Sequence, residues 1–187
     1  MRTTLLFFGV LLSFLSCKAQ TLPLNTFTED IPSNAYVKDL INELSPYIGI
    51  YKAIYEGKEI TLYITKQENK IEKRTKKTYY FDVLHIKYTV KNISTGLILQ
   101  DTYNLNHPQI ELYSLGTNSF NQTVNFYYSG TNCRVGWGRI YLKKLNSTQI
   151  SWEYKPNSRV LRGSDCPGNP DLTVYLPVTK DLIFTKQ

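Results

Sequence analysis

Few side chains in this 187-residue chain are of the types that do chemistry. There are only two histidines, His85 and His107. His85 lies on the polar side of an alternating run, and His107 precedes Pro108 in a turn-like stretch, so both read as surface residues rather than bases. Catalysis usually needs an activated nucleophile or a tuned acid–base pair. The sequence contains no Gly-x-Ser-x-Gly elbow, no His-Glu-x-x-His pattern and no phosphate-binding glycine loop. The 15 Asp and Glu residues could supply a glycosidase pair, which leaves no local signature, but nothing marks out two of them. The expectation is a non-enzymatic protein with no catalytic residues, no cofactor and no metal site.

Three cysteines remain to be explained. Cys17 closes an N-terminal apolar run, which leaves Cys133 and Cys166 as an even pair. In an oxidising compartment such a pair predicts a single disulfide. Two lone cysteines supply too few ligands for zinc. Ser129-Gly130-Thr131-Asn132 precedes one cysteine, and Asp165, Pro167, Gly168, Asn169 and Pro170 surround the other. Residues of this kind make turns, so the bridge should staple a surface loop.

The N-terminus indicates the compartment. Arg2, the apolar run Leu5–Leu15 and the small residues after it are the parts of a secretory signal peptide. The run is shorter than the about 20 residues a membrane-spanning helix needs. Leu15-Ser16-Cys17 resembles the end of a bacterial lipobox, which would make Cys17 the lipid-modified first residue of a lipoprotein. The rival reading is an ordinary cut after Ala19. Either way the protein is expected in the bacterial cell envelope or secreted, touching membrane only through a lipid anchor. Net charge is +7, and removing residues 1–16 takes away only Arg2. In an exported protein this balance suits anionic surfaces or solubility rather than nucleic acid. The segment Lys66–Lys77 concentrates it, with Lys66, Lys70, Lys73, Arg74, Lys76 and Lys77 against Glu68 and Glu72. It reads as a solvated hairpin loop that could also touch lipid headgroups, acidic glycans or an acidic partner. It lacks the interleaved aromatics that stack single-stranded bases. Asn-x-Ser/Thr matches at Asn92, Asn121 and Asn146 matter only in a eukaryotic secretory pathway.

The elements that would position these groups are mostly strands. A chain that is 42% hydrophobic and 20% charged is not disordered, and 15 Tyr with 8 Phe favour sheet surfaces. Residues 1–19 are assigned to the signal peptide (cut before Cys17 in a lipoprotein), 20–32 to a tether and 33–187 to one β-domain. Ser33 is a good N-cap, and Tyr36, Val37, Leu40, Ile41 and Leu44 share one face, predicting a short helix that ends before Pro46. From Tyr47 the period becomes two. Strands are expected at Tyr47–Tyr55, around Ile60–Thr65, and from Tyr79 to Val90 with a bulge near Val83. Others follow at Leu97–Tyr103, Ile110–Leu115, Gln122–Tyr128, Gly138–Leu145, Thr148–Lys155 and Leu182–Lys186. About eight or nine short antiparallel strands predict an all-β meander closed as a barrel or packed as a sandwich.

Tyr47-Ile48-Gly49-Ile50-Tyr51 resembles the Gly-x-Trp opening of lipocalin-like barrels, with Tyr51 in the Trp position. With Leu176-Pro177, the ending Leu182-Ile183-Phe184-Thr185-Lys186-Gln187, the hairpin around Thr148-Gln149-Ile150-Ser151-Trp152 and Cys17-Lys18-Ala19-Gln20, the chain resembles an uncharacterised family of small bacterial secreted proteins and lipoproteins with a lipocalin-like β-domain. The resemblance implies architecture and location, and no reaction. Two roles follow. A barrel cavity lined by Ile60, Ile64, Leu84 and Ile86 would take a small apolar or amphipathic ligand. A filled interior with aromatics outside would make a cell-surface interaction or adhesion module, gripping a glycan or protein through exposed Tyr and Asn.

Overall fold

Alternation of apolar and polar residues shapes most of the chain into strands. The computed structural model describes residues 20–104, 110–158 and 166–187. Cys17, His107 and the apolar run Leu5–Leu15 lie outside the described residues. The strands are β1 (Thr21–Pro23), β2 (Tyr36–Lys38), β3 (Gly49–Tyr55), β4 (Lys58–Arg74), β5 (Lys77–Asn92), β6 (Ile98–Asp101), β7 (Leu112–Asn118), β8 (Thr123–Tyr128), β9 (Gly138–Lys144), β10 (Gln149–Pro156) and β11 (Leu182–Lys186). The all-β, mainly antiparallel meander is the architecture expected, and it closes as a barrel. β3, β4, β5, β7, β8, β9, β10 and β11 pair as antiparallel neighbours in chain order, and β11 returns to β3 to complete the ring.

One face of every barrel strand points inward, and the inward set is apolar. Ile60, Leu62, Leu84, Tyr88, Phe126, Tyr128, Ile140, Ile150, Trp152 and Phe184 have no exposed surface, while Ile64 and Ile86 retain 1% and 2%. These side chains border no space large enough for a water molecule, so they fill the interior; the hollow of about 320 Å³ that touches Val124 lies beside Pro46 and Tyr47 of the plug. Most polar atoms carried inward are paired; Thr117 Oγ1, on the strand position opposite buried Val124, is buried without a hydrogen-bond partner among the described residues. The Tyr88 hydroxyl donates to Gln100 Oε1 (2.7 Å) and lies 3.3 Å from the Tyr128 hydroxyl. Trp152 Nε1 donates to the Pro177 carbonyl (2.9 Å), and the Tyr154 hydroxyl donates to the Gly136 carbonyl.

The expected N-terminal helix does not form; among the described residues the only helical turns are short 3-10 ones at Thr28–Asp30, Ser45–Tyr47 and Asn132–Arg134. Two asparagines break the run, Asn34 and Asn42, with φ of 64° and 62°. Asn tolerates this left-handed backbone better than most residues. Tyr36–Lys38 instead adds to the sheet, parallel to both β1 and β5. Asp39 then accepts the amides of Glu43 (2.7 Å) and Leu44 (3.3 Å), turning the chain across one end of the barrel. Leu44 is fully buried there, and the Tyr47 hydroxyl accepts the Lys144 amide (3.2 Å). The segment plugs the barrel without being a helix. Apolar spacing suited a helix, and tertiary pairing with β5 overrode it.

Two further differences concern β4 and β5. The basic segment is ordered hairpin, because β4 and β5 stay paired out to Arg74 and Lys77. The irregularity expected near Val83 is real, but the extra residue belongs to β4. Register shifts between Gln67 and Lys70, and Asn69 takes φ of 55° opposite Asp82. The segment 20–32 is no free tether: it carries β1, and Leu24 and Ile31 are buried.

Candidate functional site

Beyond the bulge, β4 and β5 form a two-stranded arm. β5 meets three partners along one edge: β2 at Tyr80–Phe81, β7 at His85, and β6 at Thr89–Lys91. At the junction, buried Asp82 gathers donors from three segments. Its Oδ1 accepts the Tyr36 hydroxyl (2.5 Å) and the Asn69 amide (3.1 Å), and its Oδ2 accepts the Asp39 amide (3.0 Å). Burial, and then the hydrogen bond to Asp82, push the Tyr36 hydroxyl up to about 12. Lys66 pairs with Asp39 at 3.0 Å, and the Asp39 side chain has 0% exposure. Burial opposes the Lys66 charge, yet Asp39 and the neighbouring acids leave its pKa raised overall.

The arm packs against the outer wall of the barrel. The Phe81 and Tyr113 rings lie 6.5 Å apart edge-on, and the Lys70 ammonium sits 4.2 Å from the Tyr113 ring centre. The N-terminal strap Leu24–Ile31 lies along the same wall. The Leu24 carbonyl accepts the Thr117 amide (3.4 Å) and would be 2.6 Å from a Cβ on Gly116, whose φ is 144°. Only glycine fits that position. Lys77 pins the strap to the arm by donating to the carbonyls of Thr28, Glu29 (3.3 Å) and Ile31 (2.8 Å).

Of the six basic residues in Lys66–Lys77, four are therefore engaged within the molecule. Lys66 holds Asp39, Lys70 covers aromatic rings and reaches Glu72, Arg74 pairs with Glu72 (2.9 Å), and Lys77 holds the strap. Lys73 and Lys76 show no such partner among the described residues. The segment is a structural clasp before it is a charged surface.

Strap, arm tip and wall leave a cleft between them. Three adjoining hollows, of about 270, 220 and 670 Å³, share Thr28 and Glu29. The first is backed by Val37, Tyr79, Phe81 and Leu115 and flanked by Arg74 and Arg139. The second adds Asn118, Asn125 and Thr117, and the third opens at Lys76 and Lys77. Arg139 makes no ion pair among the described residues. Across the wall the register aligns His85, Tyr113, Tyr127, Arg139 and Lys155 in one row. Burial and then Glu72 push the Tyr113 hydroxyl up to about 12, and the Arg134 guanidinium donates to the Tyr127 hydroxyl (3.1 Å). His85 is half-buried in this row; burial, then Lys87, lower its pKa.

At the wall's end, Cys133 and Cys166 are bridged, with Cα atoms 5.5 Å apart. Cys133 and Arg134 both hold left-handed backbone, with φ of 56° and 62°. The bridge fixes the loop from which Arg134 reaches Tyr127. Among the described residues, no three His, Cys, Asp or Glu side chains are grouped to hold a metal, and no helix is long and apolar enough to cross a membrane.

A family model matches residues 1–187 from end to end; its description is a family of unknown function, DUF6705. The chain belongs to this family. No curated protein and no solved structure matches it. The family match agrees with the uncharacterised family expected from the sequence and assigns no residue a role, so the site rests on geometry. Sequence reading identified the basic hairpin and the disulfide. It missed Arg139, which stood in an ordinary strand with no local signal.

Proposed function

We propose that this protein is a non-enzymatic recognition module that binds a glycan on its outer surface, in the cleft between strap, arm and wall. One observation carries the reading: the barrel interior is filled, while three adjoining hollows outside it share Thr28 and Glu29. An interior without voids offers an apolar ligand no room. The cleft instead sets hydroxyl and amide groups from Thr26, Thr28, Asn118 and Asn125 around an apolar floor to which the largely buried Tyr79 and Phe81 contribute ring edges. Sugars present apolar faces and hydroxyl edges, and this lining matches both. The test is a panel of defined oligosaccharides titrated into the purified mature protein, followed by Asn125→Trp to fill the cleft. Saturable binding that Asn125→Trp abolishes supports the reading. A co-purified lipid seen by native mass spectrometry, or oligosaccharide binding indifferent to Asn125→Trp, overturns it.

The module is further proposed to be a bacterial cell-envelope protein, exported and lipid-anchored through Cys17, with a barrel related to the lipocalin-like ones. Support comes from Arg2, the Leu5–Leu15 run and Leu15-Ser16-Cys17, from the eight-stranded meander that begins at Gly49, and from a disulfide compatible with an oxidising compartment. Mass spectrometry of the mature chain should find a lipid on Cys17, and Cys17→Ser should release the protein from membrane. A mature chain starting at Gln20 would replace the anchor with ordinary secretion, and intact Met1 would overturn export.

A further inference from the structure

We infer that the cleft selects an anionic glycan, with Arg74 and Arg139 clamping one carboxylate or sulfate group between them; this rests on the glycan reading above and names its substrate class. The two guanidinium side chains come from different parts of the molecule, the arm tip and β9, and flank the same hollow of about 270 Å³. Their circumstances differ. Arg74 pairs with Glu72 at 2.9 Å, which orients a side chain that is otherwise about half exposed. Arg139 has no acidic partner among the described residues and is exposed on the barrel wall, leaving its planar fork available. Arginine matches the two oxygens of a carboxylate or sulfate with two parallel N–H donors. Charge around the cleft favours the same sign: Lys76 opens onto the adjoining hollow without an acidic partner among the described residues, whereas Lys155, beside Arg139 in the strand register, is paired with Glu153 at 2.9 Å. Glu29 is the single carboxylate side chain lining the three hollows, and it would repel an anion placed against it. The anionic group is therefore placed at the Arg74–Arg139 side, with the uncharged sugar edge toward Thr28 and Glu29. Glu29 can accept hydrogen bonds from sugar hydroxyls there.

The hollow also has a defined depth. Phe81 and Val37 are buried at its back, and Leu115 closes the wall side. An anion at this site meets low-dielectric walls on one side, which strengthens its attraction to the guanidinium groups. A single sugar ring bearing a carboxylate fits a volume of this size better than a folded protein surface would.

Calorimetric titrations of the mature protein with galacturonic acid trimer, a sulfated galactose trimer, neutral galactose trimer and inorganic sulfate test the assignment. At low salt the two anionic trimers should bind at least about tenfold more tightly than the neutral one, and the difference should shrink as salt screens the charges. Arg139→Ala should remove that preference with an unchanged melting temperature, and Arg139→Lys should restore only part of it. Arg74→Ala should also remove it, and lower the melting temperature by releasing Glu72. A galacturonate/sulfate difference that Arg139→Lys alters tells which anion the fork prefers. Equal affinity for neutral and anionic trimers, or indifference to Arg139→Ala, overturns the clamp and leaves the glycan reading standing. Inorganic sulfate binding lost in Arg139→Ala, with no trimer bound, keeps the clamp and removes the glycan. No binding by any of the four overturns both.

Discussion

Inside the barrel, Tyr88 and Tyr128 have no contact with water, and their hydroxyls meet each other and Gln100. On the wall outside, Tyr113 and Tyr127 are half-buried beside Arg139, whose charge has no acidic partner among the described residues. The residue types are similar and the treatment of their polar groups is opposite. Interior polar atoms are hydrogen-bonded, as burial in a dry medium requires, with Thr117 Oγ1 the exception among the described residues. The wall pairs some of its polar groups, Arg134 with Tyr127 and Lys155 with Glu153, and leaves Arg139 exposed to solvent or to a ligand. Stability therefore resides in the barrel, and the proposed recognition in the layer laid over it.

The sharpest way to break this division is to cut into each region. Trp152→Ala removes a fully buried ring packed 5.6 Å from Phe184 and its donor to Pro177. It should cost about 3–5 kcal/mol in urea denaturation. Arg139→Ala on the wall should cost less than about 0.5 kcal/mol. Similar losses for the two would end the comparison.

The disulfide comes next. Replacing Cys133 and Cys166 with Ser opens a loop with a sequence separation of 33. By the chain-entropy model the loss should be about 3–4 kcal/mol at most, read as a lower denaturation midpoint. Ligand binding should survive. Unchanged stability with lost binding would move the bridge from scaffold to site.

Lys77→Met should have a smaller, local effect. It leaves the carbonyls of Thr28, Glu29 and Ile31 to water instead of their shared ammonium, at a cost of about 0.5–1.5 kcal/mol. Limited proteolysis should then cut the strap near Thr28 before the barrel yields. Resistance equal to wild type would mean the strap is held by its apolar contacts alone.

The smallest effect is a pH dependence. His85 has its pKa lowered in the fold, so the unfolded chain takes up a proton that the folded wall resists. Stability from this residue is complete above the unfolded value of about 6.5 and falls as pH drops below it. His85→Gln should flatten that part of the pH–stability curve without changing the neutral-pH midpoint. An identical slope in the variant would assign the dependence elsewhere.

How much of this was legible in the sequence follows the same division. Ile60, Leu62 and Ile64, and later Ile150, Trp152 and Tyr154, announce the barrel, because a period of two is a local signal that burial simply confirms. The disulfide was legible by counting. The layer outside was not. The strap forms because Lys77 reaches carbonyls at Thr28–Ile31, and Tyr36–Lys38 becomes a strand because β5 presents an open edge. No window of neighbouring residues contains both partners. Helical spacing at Tyr36, Leu40 and Leu44 even pointed the wrong way: Leu44 is buried in the plug while Leu40 faces solvent, so the three share no face in the fold. Arg139 shares the cleft with Arg74 only once the arm has packed on the wall.

Pairing Lys52 with Thr185 and Tyr51 with Lys186 has a consequence for how the molecule comes into being. The ring is sealed by β3 and β11, which stand at opposite ends of the domain, so an emerging chain cannot shut the barrel until its final strand is free. Until then β3 offers an unpaired edge, and the nascent sheet is a curled ribbon that can be threaded, chaperoned or degraded. Sealing late keeps the chain pliable during synthesis, and makes the docking of β11 on β3 the step that commits the barrel to its fold.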